Sequence, residues 1–146
     1  LRAEPMPNSI IAHPLTGDLY FGRVPEYRTK RDIIPEGLII LLQGRHIGPN
    51  RGFGARHIWS EHSKEMLADG FETEEQVSHY VARIVCAGTP LFFEASSWRS
   101  TRIMAVRSLA GTAILELRQR RTETVWSVVT AFSANKKHGI QIGTVL

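Results

Sequence analysis

The sequence predicts an α+β fold in which N-terminal helices pack on one face of an antiparallel β-sheet. Two observations predict it. Residues 55–88 place apolar side chains at helical spacing, and after Pro90 the spacing becomes two-fold through five short segments. Closely connected strands pair as antiparallel neighbours, and amphipathic helices beside them bury their apolar face on the sheet.

The elements follow in chain order. Residues 1–36 hold five of the seven prolines and no sustained periodicity, which reads as a linker or N-terminal arm. The compact domain, 37–146, opens with Gly37-Leu38-Ile39-Ile40-Leu41-Leu42, an apolar run of buried-strand length. A glycine-rich basic stretch, 44–54, reads as a loop. A first helix is expected from Ala55 to Ala68, stopped by Asp69-Gly70. Thr73 and Gln76 have capping-box spacing, so a second helix is expected from Thr73 to Gly88, with Val77, Val81, Ile84 and Val85 on one face. Cys86 falls inside it and is expected in the core. Strands are expected at 91–94, 101–107, 112–118, 124–131 and 139–145.

Composition narrows the function classes. Apolar residues make up 42% and charged residues 22%, the balance of a folded domain rather than a disordered chain. The longest apolar run falls well short of the roughly 20 residues a membrane helix needs, so no span is expected. The chain opens on Leu1 without a signal-like segment, which reads as a piece of something longer. A single cysteine leaves no disulfide framework and no four-cysteine zinc site. The six histidines show no HExxH or Cys/His spacing, so neither a metal nor a cofactor is expected. From Arg99 onward eight basic residues face two acidic ones, while residues 1–36 are neutral. A basic half of this kind suits a phosphate backbone, an acidic protein partner, or simply a solvated face.

Four side chains stand out chemically. His57 and Glu61 lie one helical turn apart, where a carboxylate can set an imidazole tautomer. His62 projects onto the inward face with Ala55, Ile58, Trp59 and Met66. In the last long strand, alternation puts Thr130 in an apolar stripe with Trp126, Val128 and Phe132. Cleaving RNA without a metal needs a base for the 2′-hydroxyl, an acid for the leaving 5′-oxygen and donors for the phosphorane. Histidines, arginines and a threonine hydroxyl meet those needs.

These residues also carry a resemblance. Gly52-Phe53-Gly54-Ala55-Arg56-His57-Ile58-Trp59-Ser60-Glu61-His62 resembles the GFG-x-x-HI-x-x-x-H signature of phage and polymorphic-toxin nucleases, the barnase, EndoU, colicin and RelE-like superfamily. Ile114-Leu115-Glu116-Leu117 and Val125 to Phe132 resemble that family's closing hairpin, whose last strand carries V-x-T-A-aromatic. The resemblance implies a C-terminal toxin domain of a secreted or cell-surface protein of contact-dependent growth inhibition. Such a domain acts in the cytoplasm of a neighbouring bacterium and is neutralised in the producer by an immunity protein, on which a site built for phosphate predicts an acidic contact surface. It implies metal-independent cleavage of RNA, often transfer RNA, leaving a 2′,3′-cyclic phosphate. Position by position, His57 matches the first family histidine, His62 the second and Thr130 the strand hydroxyl. His57 is then the general base, His62 the acid or an orienting residue, Arg102 or Arg107 the phosphorane stabiliser and Thr130 a phosphate ligand. Arg118, Lys136 and Arg51 are further substrate-binding candidates, with His46 and Arg45 in the glycine-rich stretch able to close over substrate. The competing readings are a non-catalytic RNA-binding module and a DNase effector.

Overall fold

The computed structural model describes residues 6–28, 30, 33–93, 104–135 and 139–146. Seven short strands come first: β1 (Ile10–Ile11), β2 (Gly22–Val24), β3 (Tyr27–Arg28), β4 (Ile33–Ile34), β5 (Gly37–Leu42), β6 (Arg45–Gly48) and β7 (Arg51–Phe53). Helix α1 (Gly54–Ala68), a 3-10 turn (Glu74–Gln76) and helix α2 (Val77–Ile84) follow. The chain closes with β8 (Pro90–Phe93), β9 (Met104–Ser108), β10 (Gly111–Arg120), β11 (Glu123–Phe132) and β12 (Ile140–Thr144).

This corrects the expected fold class. The helices are not N-terminal, and the sheet they pack against is not antiparallel. Eight strands form one mixed sheet in the order β1-β5-β11-β10-β9-β8-β12, with β2 also on β5. The parallel element is β5 beside β11, where Leu38, Ile39 and Ile40 register with Val125, Trp126 and Ser127. Local two-fold spacing gives no information on a partner some 85 positions away, so the antiparallel expectation covered only the β8–β12 segment.

The sheet curls until its two ends meet. Leu146, just past β12, donates its N–H to Arg23 O at 2.9 Å, and Arg23 N donates to Leu146 O at 3.2 Å. Arg23 belongs to β2 at the opposite end, so these bonds satisfy backbone groups that an open edge would leave for another chain to pair with. The inner face holds the main core. Ile39, Leu41, Trp126, Val128, Ala113, Leu115, Val106 and Leu91 pack there with Ile58 and Met66 of α1 and Tyr80, Val81 and Ile84 of α2. Phe21, Val24 and Ile34, from residues 1–36, belong to the same core. Burying a large apolar side chain is worth about 1.5–3 kcal/mol, so their contribution is substantial. A smaller cluster of Ile40, Leu42 and Val125 lies on the outer face, with Ile10 and Phe53 packed on it.

Several local expectations change. The glycine-rich stretch is a β-hairpin, with β6 and β7 paired through Arg45–Phe53 and His46–Gly52. The second helix ends at Ile84 rather than near Gly88, and Cys86 lies exposed beyond it. The capping box expected at Thr73 and Gln76 forms, with Gln76 Oε1 accepting the Thr73 N–H at 3.1 Å. Among the described residues no helix is long and apolar enough to cross a membrane.

Candidate active site

A cleft of about 250 Å³ lies between α1 and β11. It is lined by Asn50, His57, Glu61, His62, Glu65, Ile114, Val129, Thr130, Phe132 and Ala134. A larger groove, about 610 Å³, lies between Ile10, Tyr20, Leu38 and the Arg120–Glu123 turn, but no histidine lines it. The histidines, rather than size, single out the smaller cleft as the candidate site.

Glycines bring the β6–β7 hairpin onto α1. Gly54 has φ +79° and a Cβ there would lie 2.5 Å from Leu42 O, so only glycine lets α1 start directly against β5. Arg56 N then donates to Gln43 O at 2.9 Å. This approach places His46 of β6 over His57 of α1, with rings 5.3 Å apart and 25° from parallel. Their Nδ1 atoms lie 3.1 Å apart. That distance is a hydrogen bond when one ring carries its proton on Nδ1 and the other does not. His57 is buried at 3% exposure, whereas His46 is exposed. At the hairpin tip, Asn50 donates its N–H to Glu61 Oε1 at 2.7 Å.

His62 does not face the core. Its backbone departs from the helix (φ −128°, ψ 18°), so the projection that grouped it with Ile58 and Met66 fails at this residue. The kink leaves its side chain 22% exposed in the cleft, 5.6 Å from the Phe132 ring. His62 Nδ1 lies 3.0 Å from Glu65 Oε1, and the other Glu65 oxygen accepts the Ser133 N–H at 2.8 Å. Ser133 is held in turn. Its Oγ donates to Asp69 Oδ2 at 2.9 Å and lies 2.8 Å from the Tyr80 hydroxyl. Arg83 donates to the same Asp69 oxygen at 2.8 Å. The Arg83 guanidinium, and next the Ser133 hydroxyl, hold the Asp69 carboxyl below its ordinary value. Burial, the largest influence on Tyr80, pushes its hydroxyl above the usual tyrosine range.

Thr130 reaches the cleft by a different route from the one alternation implies. Ile114 registers with Thr130 and Leu115 with Val128, so Val129 is an extra residue in β11. This bulge reverses the parity of the strand. Trp126, Val128 and then Ala131 belong to the main core, while Thr130 and Phe132 line the cleft with Ile114. Thr130 Oγ1 is shielded from solvent and has no hydrogen-bond partner among the described residues. Ser127 Oγ shares that condition but does not line the cleft. An orphaned hydroxyl costs about 1–3 kcal/mol, a cost offset when a ligand supplies the partner.

The other expected site residues are dispersed. Arg102 and Lys136 lie outside the described residues. Arg107 donates to Asn135 Oδ1 at 3.0 Å and covers the Phe92 ring at 4.5 Å. Arg118 covers the Phe53 ring at 4.4 Å and donates to Glu116 at 3.3 Å. Arg51 is exposed beside the hairpin tip. None of these three lines the cleft. Conversely, Glu65 and Asn50 were not anticipated. The i,i+3 spacing of His62 and Glu65 carried a signal for the first; nothing local pointed to the second.

The structure also gathers His46, His57 and Glu61 so that one donor atom from each lies within 4.8 Å of the others. No linear spacing motif joins these three, because β6 and α1 meet only through the hairpin. In comparison with known proteins, the chain matches no family model, no curated protein and no solved structure.

Proposed function

We propose that this chain is a ribonuclease toxin domain that cleaves RNA, with transfer RNA as the expected class, by transphosphorylation without a metal. The observation that carries the reading is the meeting of His57, His62 and the orphaned Thr130 hydroxyl in one cleft. His57 Nδ1 lies against His46, and in this reading His57 Nε2 is the atom that takes the 2′-hydroxyl proton. The 2′-oxygen then attacks phosphorus, and the Thr130 hydroxyl donates to a non-bridging oxygen of the phosphorane. His62, with Nδ1–H on Glu65 and a second proton on Nε2, delivers that second proton to the departing 5′-oxygen. The products are a 2′,3′-cyclic phosphate and a 5′-hydroxyl. The basic half of the chain, including the exposed Arg121 at the β10–β11 turn, suits steering of a polyanion.

The toxin setting belongs to the same reading. It comprises delivery from a secreted or cell-surface protein of contact-dependent growth inhibition, action in the cytoplasm of a competing bacterium, and an immunity protein that presents acidic side chains to the cleft. The test is incubation with total bacterial RNA in EDTA beside His57→Ala. Discrete fragments with cyclic-phosphate ends, absent with the variant, are expected. RNA left intact by both proteins rejects the reading in favour of a binding module. Cleavage of DNA alone, restored only by a divalent ion, rejects it in favour of a DNase.

A further inference from the structure

We infer that His46, His57 and Glu61 form a three-ligand site for a divalent transition ion of the zinc class, and that occupancy switches the cleft off. The first part stands on geometry alone; the second rests on the ribonuclease reading.

Two ligands bound tetrahedrally at about 2.0–2.1 Å from a zinc ion lie about 3.3 Å apart. The Nδ1 atoms of His46 and His57 are already 3.1 Å apart, close to the spacing one shared ion requires. The third donor sits within 4.8 Å and has to close by at most about 1.5 Å to reach tetrahedral spacing, a rotamer adjustment of a half-buried side chain. Glu61 is partly oriented for this. Its Oε1 takes the Asn50 N–H at 2.7 Å, which anchors the carboxylate while its second oxygen is available as ligand. Imidazole and carboxylate donors suit zinc and its late first-row neighbours rather than magnesium or calcium. With three protein ligands, the fourth position is left to water.

The protons account for the switch. In the metal-free pair one Nδ1 carries the hydrogen that the other accepts. The ion takes both Nδ1 lone pairs, and that hydrogen moves to Nε2 of its own ring. Both imidazoles then carry Nε2–H and no free lone pair, so His57 has no nitrogen left to accept a 2′-hydroxyl proton.

The test has a readout independent of RNA. EDTA-stripped, desalted protein is titrated with Co²⁺ and followed by its visible d–d absorption. Saturation at one ion per chain is expected. The affinity should fall at least about tenfold in His46→Ala and in Glu61→Gln. Both residues lie at or near the surface, so the fold is retained, and circular dichroism checks it. No d–d absorption, or equal affinity in all three proteins, overturns the site. Zn²⁺ is then added to the RNA assay. Wild-type cleavage in EDTA should be lost on adding excess Zn²⁺, with Glu61→Gln needing at least about tenfold more ion. Stimulation by Zn²⁺ overturns the switch. Absence of any cleavage counts against the ribonuclease reading alone, because the cobalt spectra decide the site either way.

Discussion

A β-carbon built on Gly52 would lie 2.7 Å from Nδ1 of His57, so the glycine of the hairpin and the buried histidine of α1 are in direct steric dependence. The same β-carbon would overlap the Arg45 carbonyl, and Gly52 has φ +143°. Gly52→Ala should therefore destabilise the fold by about 1–3 kcal/mol in urea titration through backbone strain. It should also push His57 off His46 and abolish RNA cleavage under conditions where the variant remains folded. A folded variant with full activity would separate the glycine from the site.

Thr130 offers a test in which stability and activity move in opposite directions. Thr130→Val removes a shielded hydroxyl that has no partner among the described residues while keeping the β-branched shape. Thermal unfolding should show stability unchanged or raised by up to about 1–3 kcal/mol. Cleavage should fall about a hundredfold if the hydroxyl binds the phosphorane. Thr130→Ser should retain most activity. Loss of stability without loss of rate would make Thr130 a structural residue.

Glu65 connects His62 to the end of β11. Glu65→Ala deprives Ser133 N–H of its acceptor and should cost about 1 kcal/mol, the usual net value of one hydrogen bond. It also frees His62 to rotate. The expected signature is a fall in kcat of about tenfold or more with KM little changed. Glu65→Gln, which retains an acceptor oxygen, should recover the stability but not the rate.

Acid should loosen the α1–α2 junction first. The Asp69 carboxyl is held below its ordinary value of 3.8 by Arg83 and then by Ser133. A carboxylate whose folded value is depressed contributes stability that is present above its unfolded value and lost as pH falls through the folded one. Urea midpoints should drop below about pH 4 by this route, and Asp69→Asn should flatten that part of the curve. Tyr80 works at the other end. Its hydroxyl is raised above 10.0 by burial, so its contribution is intact below that value and is lost as pH rises through the folded one. Tyr80→Phe should remove the alkaline loss while leaving Ser133 Oγ without that partner.

What the sequence determined by itself is the content of single elements. The apolar run at Gly37–Leu42, the helix from Gly54 to Ala68 and the long hairpin strands β10 and β11 were legible, because the facing of side chains within one element is written in local spacing. The histidines His57 and His62 and the hydroxyl of Thr130 stood out by residue type within those elements. What only the tertiary structure decided is how elements meet. The parallel pairing of β5 with β11 and the Arg23–Leu146 closure join segments far apart in the chain. Two-residue strands such as β1 take their stability from a partner rather than from propensity, so no periodicity announces them. His46 meets His57 only because glycines let a hairpin lie against α1. The kink at His62 and the bulge at Val129 each change by local backbone geometry the direction that regular spacing assigns, and both turn a side chain into the cleft.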